Sequence, residues 1–157
     1  MRKLTSAKDI LHNHHLKATR PRQKILEYLM EHHNHPTVDT IYTDLAHNQQ
    51  LNKATIYNTL NTLISVGIII EIKNGDNSTH YDFFMKPHFH IICKNCGKIS
   101  DVFYPNFYQI ENKMRVEAEK QTGFNAFSSH LEIYGLCPEC QKLEKKAQKV
   151  SGKKLDF

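Results

Sequence analysis

Residues 52–73 read NKATIYNTLNTLISVGIIIEIK and contain a change of hydrophobic period. Up to Gly67 the apolar residues recur at helical spacing and share one face. Beyond Gly67 the sequence is strand-like, and a second strand-like run, STHYDFF at 78–84, follows the turn-forming residues 74–78. A helix that ends at a glycine and leads into a β-hairpin predicts the last helix and the wing of a winged helix-turn-helix. The apolar face of the helix consists of Ile56, Leu60, Leu63 and Ile64.

Three more helices are predicted upstream, at residues 1–15, 19–33 and 35–45. Residues 1–84 are therefore expected to form a winged-helix DNA-binding domain, and residues 85–157 a second, α/β domain for dimerisation and metal binding, which gives an α+β chain. The residues expected to cap the three later helices are Thr19, Thr37 and Asn52.

The outward face of the helix at 52–67 is polar but nearly uncharged, whereas an ordinary surface helix is rich in lysine and glutamate. Asparagine can read adenine, and threonine and tyrosine can pack on thymine methyl groups. Nearby lysine and arginine side chains can hold phosphates. The alternative is the packing helix of a winged domain that binds protein. The predicted DNA contacts are Arg20, Arg22, Lys53, Thr55, Tyr57, Asn58 and Asn61.

The composition limits the class of protein. A chain of 157 residues with 39% hydrophobic residues fits one domain or two small ones. Its formal net charge of +5 suits an anionic partner. No run of about 18 apolar residues is present, and the first residues lack the apolar stretch of a signal peptide, so we expect a cytoplasmic protein without a membrane span.

The four cysteines form two C-x-x-C pairs. In a cytosolic chain, two matched pairs are typical of a structural zinc site, because each pair directs two thiolates at one point. Four thiolates leave no open position on the metal. A thioredoxin-like redox pair is the alternative. The predicted zinc ligands are Cys93, Cys96, Cys137 and Cys140.

Short strands, a helix from about Phe107 to Thr122 and a further strand are predicted for the second domain. Its apolar residues exceed what so small a unit can bury, which predicts a homodimer. Two reading helices about one DNA turn apart then predict an inverted-repeat operator in double-stranded DNA. The apolar residues in question are Phe103, Phe107, Ile110, Phe124, Phe127, Ile133 and Tyr134.

A second set of metal donors contains no sulfur. Two histidines lie two residues apart on a predicted strand, so they face the same side, and hairpin pairing can bring an aspartate beside the second of them. Nitrogen and oxygen donors suit Fe(II), Mn(II) or Zn(II). The alternatives are an exposed strand face and a metalloenzyme with an open ion. The candidate donors are His35, Asp82, His88, His90 and Asp101.

The sequence also resembles the ferric-uptake-regulator (Fur) family of bacterial repressors over nearly its whole length. The resemblance lies in HPTVDTIY, KATIYNTL, HYDF, HFHIICKNCGK and LEIYGLCPEC, in the family's order and spacing. It implies a dimeric winged-helix repressor, not an enzyme, with a four-cysteine zinc site and a regulatory site built from the five residues above.

Aspartate at both Asp82 and Asp101 is similar to the peroxide-sensing, PerR-like branch, since iron-responsive members usually carry glutamate there. The resemblance implies that bound Fe(II) reacts with hydrogen peroxide and that His35 or His88 is oxidised to 2-oxo-histidine. Mn(II) in the same site implies an insensitive repressor. The alternative is an iron-responsive repressor, or a zinc or manganese sensor, on the same scaffold.

Overall fold

The computed structural model describes residues 6–46, 51–73, 78–83, 86–127 and 129–151. The chain divides into two compact units, Met1–Lys86 and Pro87–Phe157. The boundary predicted between residues 84 and 85 lies outside the described residues, as do residues 74–77 of the hairpin turn predicted at 74–78. The α+β class is confirmed. No described helix combines the length and apolarity needed to cross a membrane.

The first unit contains the helices and hairpin of a winged helix-turn-helix. Its core is a cluster of buried apolar side chains drawn from all four helices and both strands. The predicted apolar face of the fourth helix is correct, since Ile56, Leu60 and Leu63 are fully buried and Ile64 is partly buried. In chain order the elements are α1 (Ala7–Asn13), α2 (Arg20–Glu31), α3 (Val38–Ala46), α4 (Lys53–Ser65), β1 (Ile69–Lys73) and β2 (Thr79–Phe83).

Local side chains fix where these helices begin and end. The Asn52 side chain accepts a hydrogen bond from the backbone N–H of Thr55, and Thr37 accepts one from the N–H of Thr40, so both predicted caps form. Thr19 precedes α2 without a capping side-chain bond. Gly67 follows α4 in the left-handed region, with φ of 74°, as predicted.

The second unit is a three-stranded sheet with two helices. β3 is central, antiparallel to β4 and parallel to β5. The bounds predicted for the long helix from Phe107 to Thr122 are correct. Phe107 was predicted to be one of the apolar residues that this unit cannot bury, and this is wrong, since Phe107 is buried and packs against Phe89. The elements are β3 (Phe89–Cys93), β4 (Ile99–Val102), α5 (Phe107–Thr122), β5 (Glu132–Gly135) and α6 (Pro138–Ser151).

Candidate metal centres and DNA-facing surface

The four cysteines meet at one point of the second unit. Cys93 ends β3, Cys96 lies in the following turn, and Cys137 and Cys140 flank the start of α6. One sulfur atom from each lies within 4.8 Å of the other three. The Sγ atoms of Cys96 and Cys137 are 3.7 Å apart. Two thiolates on one tetrahedral zinc, with bonds near 2.3 Å, are separated by about 3.8 Å, so the donor set fits this ion.

Backbone groups favour the ionised form of one of these thiols. The N–H groups of Cys137 and Cys96 lower the pKa of the Cys93 thiol to about 6. The Cys137 N–H lies 3.3 Å from this sulfur. A thiolate is the form that binds metal, and here it is favoured at neutral pH. Asn95, which the sequence analysis did not select, donates from Nδ2 to the Cys140 sulfur at 3.2 Å.

A second group of donors lies on the same sheet. Register pairs His90 on β3 with Asp101 on β4, and His88 directly precedes β3. The His88 and His90 Nε2 atoms are 3.1 Å apart, and they lie 3.7 and 3.4 Å from Asp101 Oδ1. The point in the plane of these three atoms that is equidistant from them is about 2.0 Å from each, which is the length of a metal–nitrogen or metal–oxygen bond.

The other two candidate donors, His35 and Asp82, belong to the first unit. The Nε2 atom of His35 lies 4.0 Å from Asp82 Oδ1, and both side chains are buried. Buried polar groups of this kind require compensation by partners or by a metal. His35 stands in the loop before α3, and Asp82 stands on β2 opposite Ile70.

His80 is a residue near this pair that the sequence analysis missed. Its Nδ1 lies 2.6 Å from the His35 carbonyl oxygen. A signal was available, because residues two apart on a strand face the same side and His80 precedes Asp82 by two.

The predicted DNA contacts fall into two groups. Arg22, Thr55 and Asn58 line one open cleft between the start of α2 and α4. Lys53 lies outside that cleft and pairs with Asp39 of α3, with 2.6 Å between Nζ and Oδ1. The other predicted contacts, which are exposed and also outside the cleft lining, are Arg20, Tyr57 and Asn61.

Comparison with known proteins identifies relatives of the chain. It is 41% identical to the peroxide-responsive repressor PerR of Staphylococcus saprophyticus over 132 residues, which cover 83% of this chain and 86% of the relative. The Campylobacter jejuni peroxide stress regulator superposes with a TM-score of 0.65 at 30% identity, covering 83% of this chain and 96% of that one. The Francisella tularensis ferric uptake regulator with iron gives 0.59 at 29% identity, covering 80% and 95%.

The profile of the ferric uptake regulator family matches residues 13–134, well over half of the sequence. The chain belongs to the ferric uptake regulator family.

Proposed function

We propose that the protein is a metal-dependent transcriptional repressor that senses hydrogen peroxide. It acts in the cytoplasm as a homodimer on inverted-repeat double-stranded operator DNA. Members of its family are regulators, and the chain is accordingly a regulator and not an enzyme. The observation that carries the proposal is the triangle of donor atoms from His88, His90 and Asp101, whose centre is one metal–ligand bond length from each.

The four cysteines hold a structural zinc in this proposal. Their sulfur-only donor set and the tetrahedral spacing of Cys96 and Cys137 support zinc over a harder ion. With four thiolates, the metal keeps no open position for substrate. Its role is to join the end of β3 to the start of α6, across about forty residues of chain.

The regulatory ion is Fe(II) or Mn(II), held by His35, Asp82, His88, His90 and Asp101. His88, His90 and Asp101 would hold the ion from the second unit. His35 and Asp82 supply one imidazole and one carboxylate to complete five nitrogen and oxygen donors. A set without sulfur, with two carboxylates, favours these ions over softer ones.

Peroxide sensing in this proposal rests on the oxidation of a histidine that binds ferrous iron. Ferrous iron, when bound, would catalyse the cleavage of peroxide without being consumed in the net reaction. In the net reaction the oxygen–oxygen bond of hydrogen peroxide breaks, one oxygen replaces hydrogen on the C2 atom of an imidazole, and water leaves. The imidazole loses two electrons and peroxide gains them. His35 and His88 are the proposed targets, and the resulting 2-oxo-histidine is a poor ligand.

Loss of a ligand then releases the metal and, with it, the DNA. Because one ion joins residues of both units, metal binding and DNA binding are coupled, and each strengthens the other. The identity to a peroxide-responsive repressor and the presence of aspartate at both Asp82 and Asp101 support peroxide over iron as the signal. Mn(II) in the same site gives a repressor that does not respond.

DNA recognition is assigned to the outward face of α4. Asn58 and Asn61 are exposed there and offer amide groups to base edges, while Arg22 stands beside the cleft as a phosphate ligand. The homodimer is supported by the large apolar side chains that the second unit leaves exposed in a single chain. They include Phe103, Tyr108, Met114, Phe124 and Phe127.

The test uses protein prepared anaerobically with Fe(II) or Mn(II). The Fe(II) form should release its operator at micromolar peroxide, and mass spectrometry should find one added oxygen atom on the tryptic peptide of residues 25–53, which carries His35, or of 74–94, which carries His88. The Mn(II) form is the control and should keep its DNA. If the Fe(II) form releases DNA only when a chelator removes iron, the protein is an iron-responsive repressor instead.

A further inference from the structure

His35 has an unusual backbone conformation for its position. Its φ is 49°, in the left-handed region that a residue with a Cβ rarely occupies. His15 and Asn106 also have positive φ but are exposed, whereas His35 is buried. Such a conformation is strained and persists where surrounding contacts enforce it.

Two hydrogen bonds from β2 enforce it. His80 Nδ1 lies 2.6 Å from the His35 carbonyl oxygen, and the Tyr81 N–H donates to the Pro36 carbonyl at 3.0 Å. Because a carbonyl oxygen only accepts, Nδ1 of His80 carries the proton. The Nε2 of the same ring lies 2.8 Å from Ser78 Oγ, whose hydroxyl can donate to it. The ring is thus held on both sides, and it fixes the loop of His35 to the strand of Asp82.

We propose that His80 is a positioning residue for the regulatory metal. It binds no metal itself. Asp82 lies two residues after His80 on β2. The bond from His80 to the His35 carbonyl therefore holds the His35 imidazole at a set distance from Asp82, so that these two proposed ligands move together. Partners of this kind, which orient a ligand, typically change metal affinity about 10- to 100-fold when removed. This inference rests on the proposed function of His35 and Asp82 as ligands.

The experiment measures Mn(II) affinity of the zinc-loaded full chain for four variants and the wild type. His80→Ala removes the bond, and we expect it to weaken Mn(II) binding about 10-fold. His80→Asn keeps a donor, because the amide Nδ2 takes the place of the ring Nδ1, so it should restore most of the affinity. Asp82→Ala removes a proposed ligand and should weaken binding at least as much as His80→Ala.

His32→Ala is the matched control. The His32 Nδ1 makes the same kind of bond, to the Tyr28 carbonyl at 2.8 Å, but this bond stays within the end of α2 and does not join the loop of His35 to β2. It should lower thermal stability without changing Mn(II) affinity. In the Fe(II) form treated with peroxide, His80→Ala should also move added oxygen from the peptide of His35 toward that of His88, which a general loss of stability would not do.

The outcomes separate the two ideas. If His80→Ala binds Mn(II) like the wild type while Asp82→Ala does not, the positioning role is wrong and the proposed metal site stands. If both bind like the wild type, the metal site fails and the positioning role fails with it. If His32→Ala weakens Mn(II) binding as much as His80→Ala, the effect is one of stability, and the positioning role is again wrong.

Discussion

We expect the second unit to need metal at its four cysteines in order to fold, because its apolar core is small, and Cys96→Ala tests this. Among its described residues the buried apolar side chains are Ile92 and Phe107, together with two of the cysteines. Burying two such side chains contributes about 3–6 kcal/mol. A structural zinc site contributes roughly 10–16 kcal/mol to folding. Zinc at the proposed site would therefore contribute more to folding than the apolar burial within one chain.

Cys96 is the right position for the change because its side chain is exposed. Its replacement by alanine removes one thiolate of four but almost no packing. We expect the second unit to lose its stable fold, while the first unit, with its own core from four helices and a hairpin, stays folded. Ser100→Ala, exposed on β4 and outside the thiol cluster, is the matched control and should leave both units folded.

Hydrogen exchange read by mass spectrometry resolves the two units. In Cys96→Ala, confirmed free of zinc by metal analysis, amides of β3 and α5 should exchange at nearly unfolded rates, and those of α2 and α4 should keep their protection. Leu60→Ala gives the reciprocal pattern, since Leu60 is fully buried in the first unit. Unchanged protection of β3 in the zinc-free variant would refute the reasoning.

Three further predictions concern the first unit. Tyr28→Phe removes the hydroxyl that donates to Asp44 at 2.5 Å and should lower the free energy of unfolding by about 1–2 kcal/mol at neutral pH. Burial first, and then the Asp44 carboxylate, raise the pKa of Tyr28 to about 12, so the wild type loses this stability as pH rises from 10 toward 12. In urea titrations the stability of the variant should therefore fall less steeply with alkaline pH. Gly67→Ala should lower the stability measured by thermal unfolding by about 1–2 kcal/mol, because φ is 74° at this position. No atom lies within 4 Å of the added Cβ, so the cost comes from the backbone, and Gly67→Asn should cost less. Equal costs for the two variants would contradict a backbone origin. Asn58→Ala should weaken operator binding in gel shifts by about 1–3 kcal/mol, whereas Ser65→Ala, at the far end of α4, should bind like the wild type.

Much of the fold could be predicted because local patterns determine it. The helical spacing of apolar residues and the glycine after each helix predicted the extent of α4 and α5. The two C-x-x-C pairs predicted the cluster of four thiols. Hairpin pairing of two neighbouring strands placed Asp101 beside His90, as expected from the short connection between them.

What the sequence analysis missed depends on contacts between distant segments. Lys53 pairs with Asp39 of a different helix, and His80 reaches a carbonyl forty-five residues away. Phe107 begins a helix whose remaining residues are largely exposed, so nothing in the local period separates it from them. Such contacts follow from tertiary packing, which overrides local preference.

β3 carries a member of each candidate centre: His90 lies in its middle and Cys93 at its end. Under the proposed function, a failure at the thiol end of this strand would therefore reach its imidazole, because both belong to one hydrogen-bonded segment. A shortage of zinc would then silence the response to peroxide even in cells that have enough iron.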